Sequence, residues 1–302
     1  MLQQLFNYKK VLAVIIVAGI AYFWKGRSAL GSDLSQRHNW TVAHVAILFI
    51  LVNIAITSSY LLLYFVDASF LPYAYTSYLG LEVGLNILGL TCFFYYVGQP
   101  LSTVGCSRGS WASLGLPGVL VALIALFLDY VAMGLCSVLA PSLSDSLVVA
   151  NIASYFEQNG TLRPMGFLLL EEVFWFANAS IEEIEYRGLL YGALRKSMAP
   201  LPAQLLSAAA FMAAHGWVNP YAFAVGWVTA SLREKYQSLI PGIVFHVVWN
   251  VGLEIEGLTI RGTGVAPPMF YVSAAALTGV AYVAVFRISG LWTRWRADPI
   301  PK

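Results

Sequence analysis

The chain has 302 residues, 59% of them hydrophobic and only 11% charged, with a mean hydropathy of +0.72 and a formal net charge of +2. Soluble domains carry about a quarter of their residues as charges, so a water-soluble fold of this size would lack the polar residues to cover its surface. The weak charge and the lack of a basic block exclude nucleic acid as a partner, and the even spread of apolar runs points to one helical bundle in lipid.

Taken in chain order, the N-terminus MLQQLFNYKK followed by VLAVIIVAGIAYFW has the charged start and apolar run of a signal peptide. No small-x-small cleavage site follows before Lys25 and Arg27, so an uncleaved first helix is expected at 8–24. Runs long enough to cross, or nearly cross, a bilayer follow at 41–66, 79–97, 114–139, 164–195, 202–217, 220–233, 238–256 and 268–287. Those at 202–217 and 220–233 are short and are expected to tilt or to lie inside the bundle. The fold class that results is all-α, a polytopic transmembrane bundle of about 8–9 helices around a buried cavity.

The positive-inside rule puts the C-terminus, with Arg287, Arg294, Arg296 and Lys302, in the cytoplasm. Arg195/Lys196, Arg233/Lys235, Arg108 and the loop with Lys25, Arg27 and Arg37 then fall on the same side, and the loop at 140–163 on the other. Lys9 and Lys10 conflict with this, so the first helix is either interfacial or absent from the count. Cys92, Cys106 and Cys136 have no metal or redox spacing and read as small apolar residues. His38 and His44 read as interfacial, and the tryptophans and tyrosines as membrane belts.

Ionisable groups inside a membrane each cost roughly 2.5–3.5 kcal/mol on insertion scales, which makes them functional candidates. Three clusters stand out. Glu182, Glu183 and Arg187 lie inside the run 164–195. Glu183 and Arg187, four apart, share a helix face and can pair, which leaves Glu182 to face a cavity, a setting suited to a general base. On a soluble helix such an acidic run would be a solvated face, but the flanks FLLL, VFWF and LLYGAL argue against that here. His215 ends the run AQLLSAAAFMAAH, whose small residues permit close helix packing. By itself a lone histidine of this kind reads as a satisfied core residue. His246 and Asn250 are four apart and leave one face of a helix together. They either glue helices or stabilise an oxyanion. Together the clusters supply a base, a helper and oxyanion donors for peptide hydrolysis, with no serine or cysteine nucleophile indicated.

These residues resemble the CPBP family, the CAAX proteases and bacteriocin-processing enzymes also called the ABI family. Its pattern of EExxxR, FxxxH and HxxxN reads here as Glu182-Glu183-x-x-x-Arg187, Phe211-x-x-x-His215 and His246-x-x-x-Asn250. Tyr186-Arg187-Gly188 and the stretch from Tyr236 through Ser238-Leu239-Ile240-Pro241 to Asn250 also look typical. The resemblance covers about 164–255, under a third of the chain. It implies an intramembrane glutamic endopeptidase without a metal or other cofactor. Glu182 and His215 would activate water, His246 and Asn250 would form the oxyanion hole, and Glu183 and Arg187 would order the site. The implied partners are membrane lipid and a peptide or membrane-associated protein substrate, lipidated or not. Residues 1–163 then form N-terminal transmembrane helices without a recognised motif, 164–287 the CPBP-like core and 288–302 a cytoplasmic tail. A bacterial cell membrane is the expected location.

Two features depart from the family pattern. Glu171-Glu172, eleven residues before the motif pair, point to roughly the same side but lack an arginine at the fifth step. They read as residues of the membrane surface or of a cavity mouth. Glu185 adds an acid at a position often apolar in the family. The alternatives kept open are a silent immunity or scaffold protein of the same fold, a metal-dependent protease using Glu182, His215 and His246, and a proton-coupled transporter.

Overall fold

The computed structural model describes residues 40–66, 74–105, 111–139, 165–215, 219–263 and 267–288. Among them all regular structure is helical: α1 Val42–Val66, α2 Ala74–Val97, α3 Trp111–Leu139, α4, α5 Pro200–His215, α6 Pro220–Tyr236, α7 Ile240–Thr263 and α8 Pro267–Ile288. A 3-10 turn, Leu101–Val104, follows α2. Helix α4 runs on through three parts, an α-helix Met165–Glu182, a π-helix Glu183–Leu190 and an α-helix Tyr191–Arg195. Eight helices and no strand among the described residues meet the all-α expectation. The run at 8–24, the loop at 140–163, the tail beyond Ile288, Lys9, Lys10, His38 and Cys106 lie outside the described residues.

Local chemistry sets the helix ends. Asn219 caps α6, its side chain accepting from the Ala222 N–H at 3.1 Å, with Pro220 in the first turn. The same helix stops at Gln237, which takes a left-handed conformation with φ 52°. Ser238 then accepts the Ile240 N–H at 3.3 Å and Pro241 enters the first turn of α7, where a missing donor costs nothing. His44 belongs to the start of α1, where its Nδ1 accepts the Thr41 N–H at 3.2 Å.

Three stretches are long and apolar enough to cross a membrane: Gly80–Val97, Leu114–Leu139 and Pro268–Arg287. Their outward faces carry Ile87 and Leu88, Leu128, Leu135 and Val138, and Val272, Leu277 and Val280, all more than half exposed. Apolar faces of this extent need lipid rather than water. The chain is an integral membrane protein. Among its other helices, Glu183, Arg187, Arg195, Arg233 and His246 are buried.

The chain divides into two compact units, Met1–Gly109 with Arg163–Ile243, and Ser110–Leu162 with Val244–Lys302. In the first, α1 packs on α2, α2 on α4, and α5 on α6, and the π segment of α4 meets α1, α5, α6 and the 3-10 turn. Tyr186, Leu189, Leu190, Tyr191 and Leu194 make this part of α4 the centre of the unit. α5 and α6 bury small residues, Ala203, Ser207, Ala208 and Ala210 on one and Ala222, Gly226 and Ala230 on the other, and Ala208 meets Gly226 where they pack. A Cβ on Gly226 would lie 2.9 Å from the Ala208 Cα and 3.2 Å from an Arg187 Nη, so only glycine fits. Gly226→Val is expected to destabilise the protein by about 1–3 kcal/mol through overpacking, measured as a lowered unfolding midpoint in detergent.

In the second unit α3 lies along α8. Gly252 of α7 accepts Leu126 of α3 into the space a side chain would fill, and the Tyr130 hydroxyl donates to the Gly252 carbonyl at 2.9 Å. Tyr271 of α8 donates to Glu256 at 2.6 Å, both side chains buried. These contacts hold α7 just beyond Asn250.

Candidate active site

The first motif was expected on an α-helix; Glu182 ends the α-helical part and the rest of the motif, Glu183 to Arg187, lies on the π-helix Glu183–Leu190. The Tyr191 N–H bonds back to the Tyr186 carbonyl, the i→i+5 pattern of this helix type. Two outside donors support the wider ladder. Ser207 of α5 donates to the Tyr186 carbonyl at 2.9 Å, and the Trp40 indole donates to the Leu189 carbonyl at 3.2 Å. π segments of this kind are frequent at functional sites.

The aromatic-Arg-Gly triplet divides three tasks. Tyr186 packs between Phe49 and Phe211, with ring centroids 5.2 Å away in each case. Arg187 forms an ion pair with Glu183 at 3.2 Å, both side chains wholly buried. Gly188 lets the 3-10 turn approach, since a Cβ there would lie 2.9 Å from the Val104 Cβ. Gly242 at the start of α7 likewise gives room to Glu183, whose Oε2 would be 3.2 Å from an added Cβ.

Phe211 explains why the second motif joins a phenylalanine to a histidine. The Arg187 guanidinium sits 4.2 Å over its ring, within cation–π range. The His215 ring lies 4.3 Å from the Phe211 ring centroid. One aromatic side chain thus separates the buried ion pair from the histidine while touching both.

Glu182 and His215 come together. The His215 Nε2 is 3.9 Å from Glu182 Oε1, with side-chain exposures of 35% and 16%. The pair can therefore be reached from outside the protein, unlike Glu183 and Arg187. His215 Nδ1 lies 2.9 Å from the Phe211 carbonyl. A carbonyl only accepts, so Nδ1 carries a proton and a neutral ring turns a lone pair on Nε2 toward Glu182. Asn178, 7% exposed, donates from Nδ2 to Glu182 Oε1 at 3.0 Å.

His246 and Asn250 belong to the second unit. They lie one turn apart on α7, His246 buried at 4% and Asn250 half-buried, and Phe245 and Trp249 stack beside them with centroids 6.3 Å apart. Glu185 is buried on the π segment, and Glu171 and Glu172 fall on the first part of α4. A second polar cluster was not anticipated. Glu234 accepts from Tyr191 at 2.6 Å and from Arg195 at 3.2 Å, and Lys196 reaches the Trp40 carbonyl. Arg195 and Arg233, in the turns expected on the cytoplasmic side, are each only 2% exposed. Burial pushes the Lys196 ammonium below the usual lysine range. Asn178 was also missed, although a lone amide one turn before Glu182 in an apolar run is a readable signal.

These features define a helical membrane protein in which Glu182 of α4 and His215 of α5 come together at an accessible site. Residues 164–252 match the family described as Rce1-like, type II CAAX prenyl endopeptidase Rce1-like. The match spans all three motifs and under a third of the chain. No curated protein matches the chain, and no solved structure does.

Proposed function

We propose that the protein is an intramembrane endopeptidase that hydrolyses a peptide bond of a membrane-associated protein or peptide through water activated by Glu182 and His215. The observation that carries the reading is the 3.9 Å separation of Glu182 Oε1 and His215 Nε2 at an accessible site. That distance is too long for a direct hydrogen bond, yet one water can span it at ordinary distance from each. With Nδ1 committed to the Phe211 carbonyl, both facing atoms accept, so each would take one hydrogen of that water. Its oxygen lone pair is then free for the substrate carbonyl.

Glu182 removes a proton as the water oxygen bonds to the carbonyl carbon. The resulting oxyanion is assigned to His246 and Asn250 by the third motif. Glu182 then returns the proton to the leaving amine as the C–N bond breaks. Glu183 and Arg187 neutralise each other and hold Glu182 and the Phe211 ring in place. The family description supports a prenylated CAAX peptide as the first substrate to try. The membrane side of the C-terminus is assigned to the cytoplasm by the basic residues near it.

The test is cleavage of a prenylated CAAX peptide and of a proteome-derived peptide library by protein in liposomes, read by mass spectrometry. His215→Ala and Asn250→Ala are each expected to lose about 100- to 1,000-fold in rate with helix content unchanged. Wild-type rates in both variants, or no cleavage of either probe by the wild type, would overturn the reading. Loss of activity on chelation, restored by zinc, would replace it with a metal-dependent mechanism.

A further inference from the structure

We infer that Asn178 is a positioning residue for the proposed base, fixing which oxygen of Glu182 faces His215. This rests on the reading of Glu182 as the base. Asn178 Nδ2 donates to Glu182 Oε1 at 3.0 Å, and the same oxygen lies 3.9 Å from His215 Nε2. A free glutamate side chain has several rotamers to lose. The amide selects one.

The bond lies within a single helix turn, from position i to i+4, so it does not join helices. An amide in an apolar helix that serves only to glue helices would bond across to a neighbour. Asn178 is 7% exposed, so its amide is turned inward beside Glu182. Its neutral donor stabilises the carboxylate without adding charge next to the buried Glu183–Arg187 pair, and Arg187 already acts on Glu182 electrostatically.

The two partners are held in the same way. Glu182 is fixed by the side chain four residues before it, and His215 by the carbonyl four residues before it. Each helix therefore contributes to orienting its own member of the pair. A family pattern of Glu-Glu-x-x-x-Arg does not contain the first of these anchors.

The experiment compares Asn178→Ala, Asn178→Leu and Asn178→Gln in liposomes, on the library peptide the wild type cleaves fastest. Loss of a hydrogen bond to a charged group is expected to lower kcat about 10- to 100-fold for Ala and for Leu, with KM within about twofold. Gln, whose amide can reach an i+4 carboxylate, is expected to recover most of the loss. Leu at wild-type kcat with Ala impaired would show a packing role and overturn the inference, as would a change confined to KM. Glu182→Gln in the same assay separates the two readings. An inactive Glu182→Gln beside a fully active Asn178→Ala removes only this inference, whereas an active Glu182→Gln removes the reading on which it rests.

Discussion

Glu182→Gln is expected to abolish peptide cleavage while leaving helix content and membrane insertion intact. Glutamine keeps the size of the side chain and keeps an oxygen to accept from Asn178, whose amide lies 3.0 Å away. It removes the ability to take a proton from water. General-base catalysis contributes about 10²–10⁴ in rate, and a loss of that size is expected in kcat. Because Glu182 is partly exposed and lies outside the wholly buried Glu183–Arg187 pair, no large stability change should accompany it. The measurement is turnover of a cleaved peptide in liposomes, with far-ultraviolet circular dichroism on the same sample. Wild-type turnover in this variant would remove Glu182 as the base.

The largest stability effect belongs to Arg187. Both its side chain and that of Glu183 are 0% exposed, and they face each other at 3.2 Å. Arg187→Ala leaves a buried carboxylate without its countercharge, which costs about 3–5 kcal/mol. It also empties the space beside Gly226 and takes the cation from the Phe211 face. Unfolding in detergent should move accordingly, and activity should fall with the fraction folded. Replacing both partners, Glu183→Gln with Arg187→Met, is expected to recover a large part of the loss, since no lone charge then remains buried. If the double variant is no more stable than Arg187→Ala, the ion pair is not the source of the effect.

Much of this arrangement is legible in the residues. The apolar run 164–195 becomes a continuous helix from Met165 to Arg195, and the spacing of Glu183 and Arg187 predicts their pairing. The run ending at His215 and the one starting at 220 match α5 and α6 to within a turn. These follow from periodicity and from the cost of ionised groups in lipid, both of which are local properties. The π-helix is different. Nothing in Glu183–Leu190 distinguishes it from an α-helix, because the donors that support its carbonyls, Ser207 and Trp40, come from distant parts of the chain. The place of Phe211 between Arg187 and His215 is likewise a product of packing. Sequence spacing says only that Phe211 and His215 share a face. The burial of Arg195 and Arg233 was obscured for a related reason. A basic residue at a helix end ordinarily reaches water, and only the nearby Glu234 carboxylate and Gly105, against which the Arg233 guanidinium is packed, reveal otherwise.

The π segment also sets an angular phase. An α-helix advances about 100° per residue, and a ladder closed at i+5 advances less. Over Glu183–Leu190 the shortfall accumulates, so Glu182 and the helix before it are rotated relative to Tyr191 and Arg195 beyond it. The direction in which Glu182 points is therefore written into the number of residues in this stretch as much as into their identity. Point substitutions preserve that number. Losing or gaining one residue between Glu182 and Tyr191 would turn one end of the rod against the other, with every side chain of the motif still present.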